Sequence, residues 1–483
     1  MTTKRKKQLG DDTFKKPEHD QPKSPQEWAF IIIRKLFLRN YDWDDKSTPL
    51  LRYHRGKYYE YEDGRYRDMS LGDMEYRVAS FLRHPASCLS PTDIEAPFLD
   101  PAEKVTNRFT SDVIFNIRSF PEIFVPDHID PPCWLGSKEQ IPTQGRMISM
   151  ENGLLSLDNL LADKEEVIFS WTPRWFNLIR IPYEYQPAAT CPKWETFISE
   201  IMGGNKELEF LLQQWTGYLL TPDTSLHKFL LCVGPGANGK GVLFRVIEAL
   251  LGEENISHTP LEVFGDKFAL WTTIDKLANI VSEIGNLDRV AEGRLKEFVG
   301  ADRLDIDRKF LKPVSVKPTA RLMLATNNLP YLADRSRGVW RRLLLVPFNR
   351  IFTTDEQIPD LADDLIAELS GIFNWGITGL RSLRATGKFI EPTASQEALD
   401  EYRIDCDPAR EFLQEHYEAD PLGAVQSGEI YQRYRRWCTE ENHRPVSNRT
   451  FGKDIKRVFF GVKRARFGPK NERIYQYEGI KQI

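Results

Sequence analysis

The 483 residues contain only six cysteines, Cys88, Cys133, Cys191, Cys232, Cys406 and Cys438, and no two of them form a Cys-x-x-Cys pair. Thiols scattered in this way exclude a zinc ribbon and a disulfide framework, and they fit a reducing cytosol. No run of 18 apolar residues occurs and the N-terminus lacks the apolar core of a signal peptide. A cytoplasmic chain with no membrane partner is therefore expected. An excess of one charge is missing as well: 66 Lys and Arg stand against 70 Asp and Glu, a net −4. Any nucleic-acid surface must then be local. No repeat of fixed period is visible.

What the chain does have is 41% apolar and 12% aromatic residues, enough for real cores, and a length that suggests about three domains. Residues 1–24 carry Lys4-Arg5-Lys6-Lys7 and Lys15-Lys16 with few apolar groups. They read as a disordered basic tail, a solubilising segment or a nucleic-acid tether. From 25 to 190 a mixed α+β domain is expected, with a helix over Glu27–Leu38 and a small β meander over Leu51–Arg67. Residues 191–222 read as helices, 223–375 as an alternating α/β nucleotide-binding domain, 376–426 as a helical linker and 427–483 as a separate basic domain. Those last 57 residues hold 14 Lys and Arg against 6 Asp and Glu, a local net charge of +8.

The most specific feature is an apolar strand, Phe229-Leu-Leu-Cys-Val233, that runs into Gly234-Pro235-Gly236-Ala237-Asn238-Gly239-Lys240-Gly241 and then a helix. Glycines let successive amide N–H groups curl around a phosphate, the helix N-terminus adds its positive dipole end, and Lys240 can reach the β and γ phosphates of ATP. The position after Lys240 ordinarily carries a Ser or Thr hydroxyl for magnesium; here it is Gly241. Ser282 is the candidate replacement.

Forty-three residues after Lys240, the strand-like Lys276–Ser282 ends in Glu283, an acid placed to polarise water or to hold Mg2+. Forty-four residues further, Arg321–Thr326 ends in Asn327, a neutral amide able to sense the γ phosphate. Then Arg335, Arg337, Arg341 and Arg342 fall within eight residues. Guanidinium groups at a subunit edge can neutralise transition-state charge on a neighbour's ATP. Between acid and amide, Leu304–Val314 reads as a hairpin presenting Arg308, Lys309 and Lys312 to a DNA strand, or as a plain surface loop.

Glycine-rich loop, Ser-Glu strand, basic hairpin, Thr-Asn strand and Trp-Arg-Arg, all within about 110 residues, resemble superfamily 3 helicases. More closely, the chain is similar to the helicase portion of phage and plasmid primase-helicases, a family that includes poxvirus primase-helicases. Asn152-Gly-Leu-Leu-Ser-Leu-Asp158, Cys191-Pro-Lys-Trp194 and Gln214-Trp-Thr-Gly-Tyr218 resemble the segment ahead of that family's ATPase. Glu368–Trp375 and Asp405–Leu413 resemble the segment behind it. The resemblance implies an AAA+-like P-loop core in a multidomain α/β chain with a helical collar, and a homo-hexamer translocating 3′ to 5′ on single-stranded DNA. It assigns Gly236, Asn238, Gly239 and Lys240 to ATP, Glu283 to catalysis and Asn327 to sensing. Either Arg341 or Arg342 becomes the finger. The space ahead of the motor is too short for the primase-polymerase domain of many relatives, so a separate primase or polymerase is expected.

In the basic C-terminal part, Ser447 caps an amphipathic helix whose stripe is Phe451, Ile455 and Val458. Arg449, Lys453, Lys456 and Arg457 cover its other faces, and Lys463, Arg464 and Arg466 open a two-stranded hairpin. Helix plus basic hairpin is what a winged helix presents to DNA, here an origin. Two rival readings remain: a ring ATPase that remodels proteins or acts as a defence switch, and an origin-binding protein whose ATPase is weak.

Overall fold

The computed structural model describes residues 22–41, 44–88, 100–136, 145–285, 289–309, 311–330, 337–441, 443, 445–468 and 474–483. Most of the expected basic tail and the hairpin turn at 469–473 lie outside them. Two compact units emerge: residues 1–180 with 310–314, and residues 181–309 with 315–483.

The first unit opens on helix Pro25–Leu36, whose start is a capping box between Ser24 and Glu27. Trp28, Ala29, Ile32 and Ile33 recur at helical spacing and are buried, sharing a core with helices Leu71–Arg83 and Asn107–Arg118. The meander is present as strands Leu51–His54, Lys57–Glu62 and Arg65–Met69, each pair antiparallel. Its tight turns use residues in the left-handed region, Arg55-Gly56 and Asp63-Gly64. Phe124–Val125 adds in parallel to the first strand.

The second unit is α/β. Five strands form one wholly parallel sheet: β1 Phe229–Val233, β2 Ile256–Ser257, β3 Ala278–Val281, β4 Arg321–Thr326 and β5 Leu343–Pro347. The order across the sheet is β2-β3-β4-β1-β5. Apart from half-buried Val233 every residue in it is buried, and burial does not alternate along the strands, as a sheet covered on both faces requires; the polar exceptions are Ser257, Asn279, Arg321 and Thr326. Helix α1, Lys240–Leu251, follows β1 directly. Helices Lys206–Leu219 and Leu369–Thr386 cross where Gly217 meets Gly376: a Cβ on Gly217 would lie 2.1 Å from the Gly376 carbonyl. That crossing passes through the domain boundary expected at residues 375 and 376, which falls inside a continuous helix.

The C-terminal module also begins earlier than expected. Helix α2 Pro408–His416, strand β6 Tyr417–Gln426, helices α3 Ser427–Glu440 and α4 Asn448–Val458, and strands β7 Lys463–Phe467 and β8 Ile474–Gln482 belong together. The strands form an antiparallel sheet in the order β6-β8-β7. Phe412, Tyr434, Phe451, Ile455 and Tyr477 share its core. Residues 408–426 pack with the module, since Phe412, Leu413 and Tyr417 are buried in its core.

Candidate functional site

β1 lies between β4 and β5, and its register places Val233 opposite Thr326 and Pro347. The chain then leaves the sheet at its carboxyl edge, with Gly234 N–H donating to the Thr326 carbonyl at 3.3 Å. Parallel α/β sheets hold their ligands at this edge. Ala237 and Gly239 are both left-handed, with φ of 57° and 84°, and curl the loop into the first turn of α1. Gly239 is required twice over, since a Cβ there would also stand 2.5 Å from Ile201 Cγ2.

Lys240 Nζ donates to the carbonyls of Gly234 (2.6 Å) and Pro235 (3.0 Å), to Asn238 Oδ1 (3.2 Å) and to Asn327 Oδ1 (3.4 Å). All four acceptors are neutral, so the ammonium charge is left for an anionic ligand. Burial pulls the Lys240 pKa below the ordinary lysine value. Asn238 is itself buried and donates to the Phe348 carbonyl at 3.4 Å. Gly236 and Gly241 face open space, with no atom within 4 Å of a Cβ at either.

Ser282 and Glu283 follow β3 and are exposed. Because Val281 pairs with Leu324, Glu283 comes level with Thr326 on the same carboxyl edge. Two strand spacings, roughly 10 Å, separate β3 from β1. Asn327, one residue past β4, is the nearer of the two.

The arginines separate into different environments. Arg342 Nη1 donates to the Gly338 carbonyl at 2.6 Å; burial lowers its pKa, neighbouring Arg341 lowers it further and Asp302 opposes both. Arg341 is exposed, and its guanidinium has no partner among the described residues; only its carbonyl is engaged, by Lys228 Nζ at 2.8 Å. Arg337 opens the short helix Arg337–Trp340, and its side chain and all of Arg335 lie outside the described residues. Arg341 and Arg342 precede β5, at the amino edge of the sheet, where Phe229 N–H donates to the Arg342 carbonyl. They stand at the edge opposite the glycine-rich loop.

Strands Leu304–Arg308 and Leu311–Val316 pair as the hairpin reading requires. Arg308, however, is a correction: it is buried, with its guanidinium 5.3 Å from the Trp271 ring centre, and does not reach the surface. An aromatic face draws a guanidinium inward more strongly than the sequence pattern suggests. Lys309 and Lys312 are exposed.

In the C-terminal module Ser447 accepts from Thr450 N–H at 3.2 Å and caps α4. Arg449, Lys453 and Lys456 are exposed. Arg457, 36% exposed, is ion-paired as well: its guanidinium is held by Asp407 at 2.6 Å and Asp454 at 3.2 Å, so it ties α4 to the start of α2. Lys463, Arg464 and Arg466 are exposed on β7, and the Arg464 and Arg466 guanidiniums lie 4.3 Å and 5.0 Å from the Tyr475 ring centre.

One contact had no signal in the sequence. The segment after β5 returns to the loop, where Phe352 N–H donates to the Ala237 carbonyl at 2.8 Å. Main-chain bonds of this kind leave no residue pattern to read.

Among known proteins, residues 232–342 match a family of unknown function, DUF5906, and residues 407–483 match the RFX DNA-binding domain. The chain is 24% identical over 253 residues to "Putative helicase 022R" of Frog virus 3, covering 47% of this chain and 26% of that protein. It is 23% identical over 333 residues to "Putative helicase L207/L206" of Acanthamoeba polyphaga mimivirus, covering 60% and 33%. The chain thus spans about a quarter to a third of the length of these relatives. In fold it is similar to the NrS-1 C-terminal region, with a TM-score of 0.51 at 10% identity over 95% of this chain and 100% of that one.

Proposed function

We propose that this chain is an ATP-dependent DNA helicase motor of a virus or other mobile element, acting in replication as a homo-hexameric ring that translocates 3′ to 5′ on single-stranded DNA. The observation that carries the reading is the loop at the carboxyl edge of β1, where Lys240 is poised on neutral oxygens beside Asn327. Similarity to viral proteins named as helicases supports the polynucleotide substrate, and the match to an RFX DNA-binding domain supports a winged helix at the C-terminus that contacts duplex DNA at an origin.

In this mechanism the backbone amides of residues 236–239 and the Lys240 ammonium bind the triphosphate. Glu283 accepts a proton from the attacking water, and Asn327 orients that water without adding negative charge. Arg341, unpartnered among the described residues at the opposite sheet edge, acts on ATP bound by the next subunit. Mg2+ would neutralise the β and γ phosphates. Among the described residues no cluster of three or more His, Cys, Asp or Glu is placed to hold a metal; phosphates and water would supply most of the ligands, with Glu283 and Ser282 at the rim.

Gly241 favours one second reading, an origin-binding protein with slow hydrolysis. The deciding experiment measures ATP hydrolysis with and without single-stranded DNA, alongside Glu283→Gln. Strong stimulation that the variant abolishes supports the motor. Hydrolysis indifferent to DNA sinks it, and strand displacement separates motor from slow origin binder.

A further inference from the structure

The segment that leaves β5 does more than connect. Phe348 accepts from buried Asn238, and Phe352 N–H donates to Ala237, so residues 348–352 are tied to the glycine-rich loop at both ends. Close approach is enforced from the loop side too: a Cβ on Gly234 would lie 2.3 Å from the Phe348 carbonyl. The strap then turns sharply at Thr353, where Glu356 closes a capping box and pairs with Arg350 at 3.3 Å. Arg350 in turn lies over the Phe352 ring, 4.4 Å from its centre.

Within this fixed strap a large apolar side chain is left open to solvent. Ile351 is 58% exposed, next to half-buried Phe352. Ordered backbone, an apolar side chain left in water and an aromatic ring backed by a guanidinium are what a stacking and van der Waals subsite for a planar base consists of.

We propose that residues 349–352 form the nucleoside subsite of the loop, with the base of a nucleoside triphosphate packing on Ile351 and Phe352 while its phosphates lie at residues 234–241. This rests on the reading of the loop as a triphosphate site and extends it to the other end of the ligand. Apolar and stacking contacts carry no donor–acceptor code, so the subsite adds affinity for the base and discriminates weakly between adenine and guanine.

The test compares ATP with inorganic tripolyphosphate, each titrated calorimetrically with magnesium into the full chain, for wild type, Ile351→Ser and Phe352→Ser. Ile351 is exposed, so its substitution leaves folding intact, which a melting curve verifies. The expected result is a loss of about tenfold in the ratio of ATP to tripolyphosphate affinity in Ile351→Ser, with tripolyphosphate affinity unchanged. Phe352→Ser should lose at least as much. If Ile351→Ser keeps the wild-type ratio, the subsite is overturned and the loop stands. If wild type binds neither ligand, the loop reading falls and the subsite with it.

Discussion

Lys240 and Arg341 stand at opposite edges of one parallel sheet. Lys240 opens the helix that follows β1 at the carboxyl edge, whereas Arg341 precedes β5, whose first residue Leu343 pairs with Phe229 at the start of β1. A five-residue strand spans roughly 16 Å, so Arg341 is out of reach of a phosphate held by its own loop. Only a second copy could bring the two together. If the proposed ring forms, Arg341→Ala should leave ATP binding intact and lower the activity of wild-type protein beyond simple dilution in mixing experiments. Activity that instead follows the simple average of the two proteins would refute a trans-acting arginine. Arg342→Ala should differ, because its bond to the Gly338 carbonyl is internal: a loss of about 1 kcal/mol of stability is expected on thermal melting.

Glu283 is exposed at the carboxyl edge, two strands from β1. In the proposed role of general base it would account for about 100-fold or more in rate. Glu283→Gln should bind ATP normally and lower kcat by that factor. Near-normal turnover would move the base elsewhere. Lys240→Ala is the complement, expected to weaken ATP binding itself, and unchanged nucleotide affinity would remove the loop from the site.

A Cβ at Gly241 meets nothing within 4 Å, so the missing hydroxyl is not imposed by packing. Gly241→Ser should fold as well as wild type or slightly better, since Ser is the stronger helix former. It should also lower the magnesium concentration that gives half-maximal hydrolysis. An unchanged magnesium profile would mean that the ion does not lie near the first turn of α1.

Exposed and clamped cations of the C-terminal module should respond differently to salt. Lys453→Ala is expected to weaken duplex binding and to reduce the slope of log affinity against log salt by about 1. Arg457→Ala removes the guanidinium that Asp407 and Asp454, both largely buried, share. Its expected signature is a lower melting temperature, about 1–3 kcal/mol of stability, with an unchanged salt slope. A changed slope for Arg457→Ala would return that residue to the DNA surface.

In the first unit, His54 is buried against Phe176 with Nδ1 3.1 Å from the Val125 carbonyl, and burial pulls its pKa from 6.5 to about 4. Above pH 6.5 the ring is neutral folded or unfolded and stability does not depend on it. As pH falls from 6.5 towards 4 the unfolded chain takes up the proton and the folded chain does not, so stability drops, by about 2–3 kcal/mol at pH 4.5. Denaturant midpoints at pH 7.5 and 4.5 should show this loss in wild type and less of it in His54→Phe. An equal loss in both would assign the acid sensitivity to other groups.

Parts whose chemistry is local were legible from the chain alone. Gly239 and Lys240 announce the tight turn from strand to helix, the alternation of strand and helix signals announces an α/β domain, and Ser447 with Phe451 and Ile455 announces a capped amphipathic helix. Each depends on residues within one or two turns of the chain, where spacing and propensity suffice. The pairings of distant side chains needed the folded molecule. Arg308 looks like any other exposed cation until Trp271 takes it inward, and no pattern in the chain announces that Arg457 pairs with Asp407, 50 residues away. Strand order likewise put Arg341 at one sheet edge and the loop at the other, and brought Phe352 back to Ala237. Burial and ion pairing are properties of neighbours in space, and a linear pattern records only neighbours in the chain.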